Sequence, residues 1–569
     1  MRRAPLFAAF ALMLGQALHA AEPAPGNAAH PLIGPVDDDG GDGGGGARDD
    51  EDERPDPAIL RARLAVALPP ETPPAIRAAA TSDAPAGEWG TALALAYWTS
   101  PAILAQRALV KSYDYRIPEA RAAYGLQLDY QLMQGWQRDR NNPTALQQEL
   151  GQITPTTSWG WSNSAMAVLT MPLFTFGRNF AAERSAAAQR AYQKQVLRQT
   201  EQQAFFDAIA AYAGLIRDRA GVLIMRDNLT ALDQELQGNA IRLKAHEITA
   251  TDLELVKTRV EEAHAQLYAA QSAAASSEAT FVQKIGVRPD ATLGAPAPLP
   301  LPARTLEDAY AYAEAHSPVI LAAHERERVS RAGVDAAKAN LMPRVDFRAQ
   351  ALYASQSPYD NYARYNEEIV SVVVTGPIFE SGIRRTEISD AVAANDSDWR
   401  LIDGASRDTR AVIAAAWNDW LAQKAAATRY ASAATAAQKA YDGALIQERA
   451  GQVTTFDVLQ VALEVLTVRS NANLAEATAT IDGARIMALI GALEPGAVLP
   501  GERLYDDTRH LDKVRHQDDL PLITPLLRAL DGVTMPHNRP RDIRDPADAV
   551  TTPAAVLTDP PAPTTPGRR

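Results

Sequence analysis

The chain contains an internal duplication, and this feature limits the folds that it can adopt more than any other. When the sequence is shifted by 205 positions, Pro172 aligns with Pro377 and Gly177 aligns with Gly382. Further pairs that match without a gap are Ala211 with Ala416, Thr249 with Thr454, Asp252 with Asp457, and Ile285-Gly286 with Ile490-Gly491. The chain is therefore expected to contain two similar repeats, residues 88–287 and 305–494, joined by a proline-rich linker at residues 288–304.

Each repeat is predicted to contain a short helix and two much longer ones. The short helix is expected at residues 88–122 and again at 305–341. Residues 178–245 and 383–450 contain no proline, and a helix of sixty-odd residues extends roughly 100 Å. A second, antiparallel helix is predicted after each long helix, because apolar residues there follow the 3-4 spacing of a coiled-coil seam. The seam residues are Leu253, Val256, Val260, Ala263, Leu267, Ala270 and Ala274, and then Val458, Val461, Val465, Val468, Ala472, Ala475 and Ala479.

Between the short helix and the first long helix, each repeat is predicted to contain two strands in which apolar and polar residues alternate. They cover residues 124–133 and 159–173, and then 344–353 and 365–378. Four strands are too few to close a barrel, and an open sheet cannot cross a bilayer with unpaired edges. Three copies would pool twelve strands, a number found in outer-membrane barrels. A soluble, half-buried sheet shows the same alternation and stays an alternative.

The loop between the two strands differs in length between the repeats. The upstream parts of the repeats align with a shift of 217, so the first repeat carries 12 additional residues. They fall in the loop at residues 138–157, whereas the second repeat has a shorter loop at residues 356–364. An insertion of this size is tolerated where packing is absent. We therefore expect this loop to lie at the end of the sheet opposite the long helices, outside the cell.

The two ends of the chain differ in composition from the repeats. Residues 1–20 begin with two arginines, continue with an apolar segment and end with a small-residue cleavage motif, which predicts a signal peptide. Residues 21–87 are rich in Pro, Gly and Asp and predict a disordered acidic linker. Residues 495–569 predict a mostly disordered tail with one short helix near residues 520–530.

Charge and cysteine content argue against several classes of protein. The net charge of −13 argues against a nucleic-acid partner, because phosphates require a basic surface. The absence of cysteine excludes disulfides, thiolate metal sites and a lipid-anchored N-terminal cysteine. The nine histidines show no metal-ligand spacing, and no catalytic arrangement stands out. We therefore expect neither an enzyme nor a cofactor or metal site.

Three segments together resemble the outer-membrane efflux (TolC) family. They are the strand-to-helix junction MPLFTFGR at residues 171–178, its partner GPIFESG at 376–382, and the hairpin tip AGQVTTFDVL at 450–459. The resemblance covers residues 88–495 and includes the duplication. It implies a mixed α and β membrane protein: a homotrimeric duct with a shared 12-stranded barrel in the outer-membrane lipid and a coiled-coil tunnel in the periplasm. The implied partners are a periplasmic adaptor (membrane fusion) protein and an inner-membrane pump or ABC transporter.

The resemblance implies a channel that passes substrates from the periplasm to the cell exterior as part of a tripartite export system. Small-molecule efflux is the favoured function. One alternative is that the same duct serves type I protein secretion. The other alternative is a soluble periplasmic coiled-coil scaffold.

The resemblance also assigns roles to residues at the helical hairpin tips. The adaptor-docking tips contain His246 and Thr249 in the first repeat, and Gly451 and Thr454 in the second. Asp457 matches the family's aperture aspartate, and Asp252 is its repeat equivalent, so both are candidates for the pore constriction. Both also begin a helix, where an acid is favoured by the helix dipole alone. The sequence departs from the family at His246, where glycine is common, at Val453, where some members have arginine, and at Gln460, where some have a second aspartate.

Four residues mark the junctions at which a strand passes into a long helix. These are Pro172 and Gly177 in the first repeat and Pro377 and Gly382 in the second. We expect the glycines to occupy positions where the backbone bends or takes a positive φ, which glycine adopts without steric cost.

Overall fold

A computed structural model of the chain describes residues 68–81, 85–151, 155–357, 360–517 and 519–533. The predicted signal peptide, most of the predicted linker and residues 534–569 lie outside these ranges. Within the linker, residues 74–81 differ from the predicted disorder. They form helix α1 (Pro74–Thr81), which buries Ile76 and Ala80 in the main hydrophobic core.

The first repeat contains two short helices, two strands and two long helices, with one helical turn in the loop between the strands. These elements are α2 (Trp89–Thr99), α3 (Pro101–Ala122), β1 (Gln127–Asn141), α4 (Ala145–Glu149), β2 (Thr156–Phe174), α5 (Arg178–Lys244) and α6 (Ala250–Ile285). The prediction of one helix at residues 88–122 is wrong, because the helix is divided at Ser100. Pro101 has no N–H group and therefore begins a new helix readily.

The second repeat reproduces these elements apart from the helical turn α4. It contains α7 (Leu306–His316), α8 (Pro318–Ala339), β3 (Arg344–Ser357), β4 (Asp360–Thr375), α9 (Ile383–Arg449) and α10 (Thr455–Ile490). The predicted helix at residues 305–341 is divided in the same way, at Ser317 before Pro318. Helices α5 and α9 each contain 67 residues, and α6 and α10 each contain 36. The predicted duplication is therefore confirmed in the lengths of the helices.

The four strands form one antiparallel sheet in the order β1-β2-β3-β4. Within the described part of the chain, β1 and β4 are its edges. Fourteen residues separate β1 from β2 and two separate β3 from β4, so the predicted excess of twelve is confirmed. One face of the sheet exposes large apolar side chains, which include Leu128, Tyr130, Leu132, Val370, Val372 and Val374. The sheet is therefore open at both edges and carries an uncovered apolar face.

The main core lies where the short helices pack against the middle of α5. Trp98, Phe205 and Tyr212 are among its largest fully buried side chains. Arg107 places its guanidinium 4.3 Å from the ring centroid of Tyr97 and pairs with Glu201 over 3.2 Å. A second core cluster lies nearer the hairpin tips and consists of Leu229, Leu232, Val256, Val260, Ala263 and Leu459. The predicted seam residues of α6 and α10 are buried or half-buried, which confirms the coiled-coil packing.

Residues 495–533 do not match the predicted disordered tail. They form α11 (Pro495–Val498), α12 (Arg509–Val514) and α13 (Ile523–Val533), the last of which confirms the short helix expected there. We call residues 495–533 the C-terminal strap, because they run along α5 towards its first residue. The strap contacts α5 through charged and polar side chains and also buries Leu499, Val514 and Leu527.

The contacts of the C-terminal strap show its direction. Asp507 pairs with Lys194 over 3.0 Å, and Arg528 pairs with Glu183 over 2.5 Å. Asp531 accepts a hydrogen bond from the Gly177 N–H over 2.9 Å. Later residues of the strap thus meet earlier residues of α5, and the strap ends at the junction of α5 with the sheet.

Candidate functional site

The two helical hairpins end in tips with the same backbone geometry. The first tip joins α5 to α6 and the second joins α9 to α10. The N–H of Glu247 donates to the carbonyl of Arg242 over 2.9 Å, and the N–H of Gln452 donates to that of Gln447 over 2.9 Å. Such bonds satisfy the carbonyl groups at the end of a helix. The duplication therefore extends to individual hydrogen bonds at the tips.

His246 and Gly451 occupy equivalent positions with left-handed backbone geometry. Their φ angles are 61° and 69°. Glycine adopts this conformation without cost, whereas a residue with a Cβ is strained in it. A Cβ added at Gly451 would meet no other atom within 4 Å, so the constraint there comes from the backbone alone. His246 thus carries a conformational strain that the second tip avoids.

Thr249 with Asp252, and Thr454 with Asp457, form capping boxes at the starts of α6 and α10. In the second box the N–H of Thr454 donates to the Asp457 carboxylate over 2.9 Å, and the N–H of Asp457 donates to the Thr454 hydroxyl over 3.2 Å. The hydroxyl and then the backbone N–H of the threonine hold the pKa of each aspartate below its ordinary value. Both aspartates therefore cap helices, and Asp457 presents an exposed, ionised carboxylate at the tip.

A group of polar residues joins the two hairpins just above the tips. Arg242 on α5 donates to Glu448 on α9 over 2.8 Å, and the Glu448 side chain is only 3% exposed. The hydroxyl of Thr455 also donates to Glu448, over 2.8 Å. Asn239, which is fully buried, donates to Glu235 over 2.7 Å. Burial and then the nearby Glu448 carboxylate raise the pKa of Glu235. We call these five residues the tip network.

The tip network was not predicted from the sequence. The signal that could have revealed it is a difference between the repeats. A shift of 205 aligns Arg242 with Gln447 and Leu243 with Glu448, so opposite charges stand at neighbouring, non-equivalent positions. The structure brings these charges together because α5 packs against α10 and places the hairpins side by side. The predicted tip residues His246, Thr249, Gly451 and Thr454 all lie at the end that the tip network joins.

The strand-to-helix junctions show the predicted backbone bends. Gly177 and Gly382 precede the long helices with φ angles of 86° and 88°, which confirms the expected positive φ. The residues before them, Phe176 and Ser381, also have positive φ, 53° and 51°. Pro172 lies at an irregularity in the pairing of β2 with β3.

The two junctions differ in what covers them. At the first, Asp531 from the C-terminal strap is 1% exposed and accepts hydrogen bonds from the N–H groups of Thr175 and Gly177, each over 2.9 Å. At the second, the two residues after Pro377, Ile378 and Phe379, are 102% and 84% exposed. The strap thus breaks the symmetry of the duplication at the end of the sheet.

Within the described ranges, no helix combines the length and the apolar character needed to cross a bilayer. The same part of the chain contains no group of histidine and acidic side chains placed to hold a metal ion.

Comparisons with known proteins agree with this architecture. The outer membrane efflux protein BepC of Brucella suis is 27% identical to the chain over 384 residues, which cover 66% of this chain and 79% of BepC. The structure of the outer membrane protein VceC from Vibrio cholerae superposes with a TM-score of 0.57 at 19% identity, covering 71% of this chain and 96% of VceC. The Campylobacter jejuni outer membrane channel CmeC gives a TM-score of 0.60 at 11% identity, covering 76% and 90%.

The structural similarities confirm the predicted TolC-like fold, and a match to the outer membrane efflux protein family confirms the outer-membrane location. An outer-membrane protein is not the soluble periplasmic scaffold that was left as an alternative. The model of the outer membrane efflux protein family matches residues 93–287 and 309–492, one segment for each repeat. The chain therefore belongs to the outer membrane efflux protein family.

Proposed function

We propose that three copies of this chain close into a channel that carries substrates from the periplasm to the cell exterior, as the outer-membrane component of a tripartite export system. The observation that carries this proposal is the open sheet with an exposed apolar face. In hydrocarbon, the unpaired N–H and C=O groups of β1 and β4 would each cost several kcal/mol, so the edges must find partners. Three copies supply twelve strands, which is within the range of outer-membrane barrels.

The long helices support the second part of the proposal, a tunnel that crosses the periplasm. A helix of 67 residues extends about 100 Å. The hairpin tips are at the far end of these helices from the sheet. They are therefore the part of the channel nearest to the inner membrane, where an adaptor protein and a pump or ABC transporter would meet it. In this proposal the docking surface is formed by the tips that contain His246, Thr249, Gly451 and Thr454.

At the same end, Asp457 is the proposed pore residue. Its carboxylate is exposed while its helix is capped, so it is available to line an opening. Three symmetry-related carboxylates in a constriction favour cations and raise one another's pKa. Asp252 forms the same cap in the first repeat and is the second candidate for the constriction.

We propose small molecules as the transported substrates, since the relative BepC is described as an efflux protein. Type I protein secretion uses the same geometry and is the alternative. A deletion strain separates the two functions. Under the efflux proposal, the strain accumulates small amphiphilic dyes and its secreted proteins are unchanged. Loss of a secreted protein with unchanged dye accumulation would instead support protein secretion.

The channel itself is tested with purified protein. Native mass spectrometry in detergent is expected to give a trimer, and planar bilayers are expected to show discrete conductance steps. A stable monomer without conductance would overturn the proposal. An undiminished amount of membrane-inserted trimer in a variant with a charge on the apolar sheet face, such as Val372→Asp, would contradict the assignment of that face to lipid.

A further inference from the structure

The C-terminal strap ends in a helix with one face against the protein and one apolar face uncovered. The buried side of α13 carries Thr524, Leu527 and Asp531. The large apolar side chains that remain exposed on or beside α13 are Leu522, Ile523, Leu526, Leu530 and Val533. Those within the helix recur at intervals of three or four residues, so they share one face. Leu526, for example, is 68% exposed.

The position of α13 is fixed at the boundary between the sheet and the tunnel. Asp531 accepts hydrogen bonds from the Thr175 N–H and the Gly177 N–H, which lie between β2 and α5. It also accepts one from the Tyr124 hydroxyl over 3.2 Å, just before β1. These residues close the periplasmic end of the sheet. In an outer-membrane protein whose sheet crosses the bilayer, this level is the inner leaflet.

The second repeat supports this placement independently. Its junction has no strap, and there Ile378, Phe379 and Ile383 are all exposed. Their equivalents in the first repeat, by the shift of 205, are Leu173, Phe174 and Arg178, none of which is fully exposed. Both repeats therefore present large apolar side chains at one level, although different segments of the chain supply them. Contact with the same apolar environment would account for the exposed apolar side chains of both repeats.

We propose that α13 lies in the inner leaflet of the outer membrane, with its apolar face in the acyl-chain region of the phospholipids. Amphipathic helices bind at this depth, parallel to the membrane surface. A second copy of the chain is a poorer occupant, because in the proposed channel copies join by pairing β1 with β4, whereas α13 packs on the inner strand β2 and on α5. The helix thus anchors the end of the strap in lipid.

The test uses spin labels at single cysteines, which the cysteine-free chain allows without other changes. A nitroxide is placed at Leu526 in the full chain, reconstituted in phospholipid vesicles, and its collision rates with oxygen and with a water-soluble nickel chelate are measured. Val372 on the sheet face serves as the lipid reference and Asn142 in the strand loop serves as the aqueous reference. We expect the ratio of oxygen to nickel collisions at Leu526 to approach that at Val372 and to exceed that at Asn142.

Each other result overturns the proposal in a distinct way. Low collision rates with both reagents at Leu526 would mean that another protein segment covers α13, either a second copy or the remaining residues of the chain. High rates with nickel would mean that the face is in water. The proposal rests on the sheet crossing the outer membrane, and the Val372 label tests that separately. If the label at Val372 is in lipid and the label at Leu526 is not, the proposed channel stands and only the proposed anchoring of α13 in lipid is contradicted.

Discussion

Arg242 at the end of α5 donates a hydrogen bond to the buried carboxylate of Glu448 at the end of α9, over 2.8 Å. This ion pair joins the hairpins of the two repeats close to their tips. The equivalent positions, Gln447 and Leu243, do not allow such a pair, so the link exists once in each protomer. The tips are otherwise alike in backbone geometry. The contact that joins the two duplicated hairpins therefore lies between positions that are not equivalent in the two repeats.

Replacing Arg242 with glutamine is expected to loosen the tips. Removal of one partner from a buried ion pair typically costs about 3–5 kcal/mol, but the Arg242 side chain is 26% exposed. We therefore expect a local loss of about 1–3 kcal/mol after discounting for solvent screening. Amide hydrogen exchange over the ends of α5 and α9 measures it. Lys257→Gln is the matched control, because its pair with Glu254 is exposed and should change exchange little. Similar exchange in both variants would contradict the role of the pair.

Glu235 is expected to make the stability of the tips depend on pH. Its pKa is raised in the folded chain by burial and by Glu448. The folded state then holds its proton at a higher pH than the unfolded state, so stability falls as pH rises above the ordinary value of 4.5. Amide hydrogen exchange near Asn239, corrected for the pH dependence of the intrinsic exchange rates, should therefore be faster at neutral pH than at acidic pH. Glu235→Gln should remove this dependence, and a variant that retained it in full would assign the effect to another group.

His246 and Gly451 allow a reciprocal test of the left-handed position. His246→Gly relieves backbone strain and should stabilise the first tip by about 0.5–1 kcal/mol. Gly451→His should destabilise the second tip by a similar amount, since no atom lies within 4 Å of an added Cβ. Local exchange rates at each tip report both changes. We expect Gly451→His to reduce dye efflux while trimers remain in the membrane. Normal efflux in that variant would argue against docking at the tips.

Asp457→Asn is expected to weaken the block of the channel by trivalent cations. A ring of three carboxylates binds polyvalent cations, and the substitution removes that charge. Bilayer recordings with the cations added on the tip side should show most of the block lost, together with a lower preference for cations. Asp308→Asn is the control, because Asp308 forms the same capping box with Thr305 away from the tips. If both variants are blocked like the parent protein, Asp457 acts only as a cap.

A cysteine at Asn142 is expected to react with a membrane-impermeant maleimide on intact cells. Asn142 follows the last residue of β1 and is exposed, at the end of the sheet opposite the long helices. Reaction should be rapid without disruption of the outer membrane. A cysteine at Gln452 in the second tip should react only after disruption. The reverse pattern would invert the topology.

Regular elements could be predicted from the sequence where one physical signal repeats along the chain. The shift of 205, the absence of proline in α5 and α9 and the 3-4 spacing in α6 and α10 all describe local geometry. The C-terminal strap was missed because its contacts are scattered: Asp531 meets Gly177, which is 354 positions away. The tip network was missed for the same reason, since Arg242 and Glu448 are 206 positions apart. Pairs of charged residues leave no periodic pattern when their partners lie on different helices.

The C-terminal strap also determines when the first repeat can finish folding. The N–H groups of Thr175 and Gly177 donate to a carboxylate that lies 356 and 354 positions later in the chain. Until Asp531 has emerged, the turn between β2 and α5 lacks its cap, although all residues of that repeat already exist. A chain truncated before Asp531 would lack these hydrogen bonds at the turn between the sheet and α5. The turn between β2 and α5 therefore obtains its hydrogen-bond acceptor only after residue 531 has been synthesised.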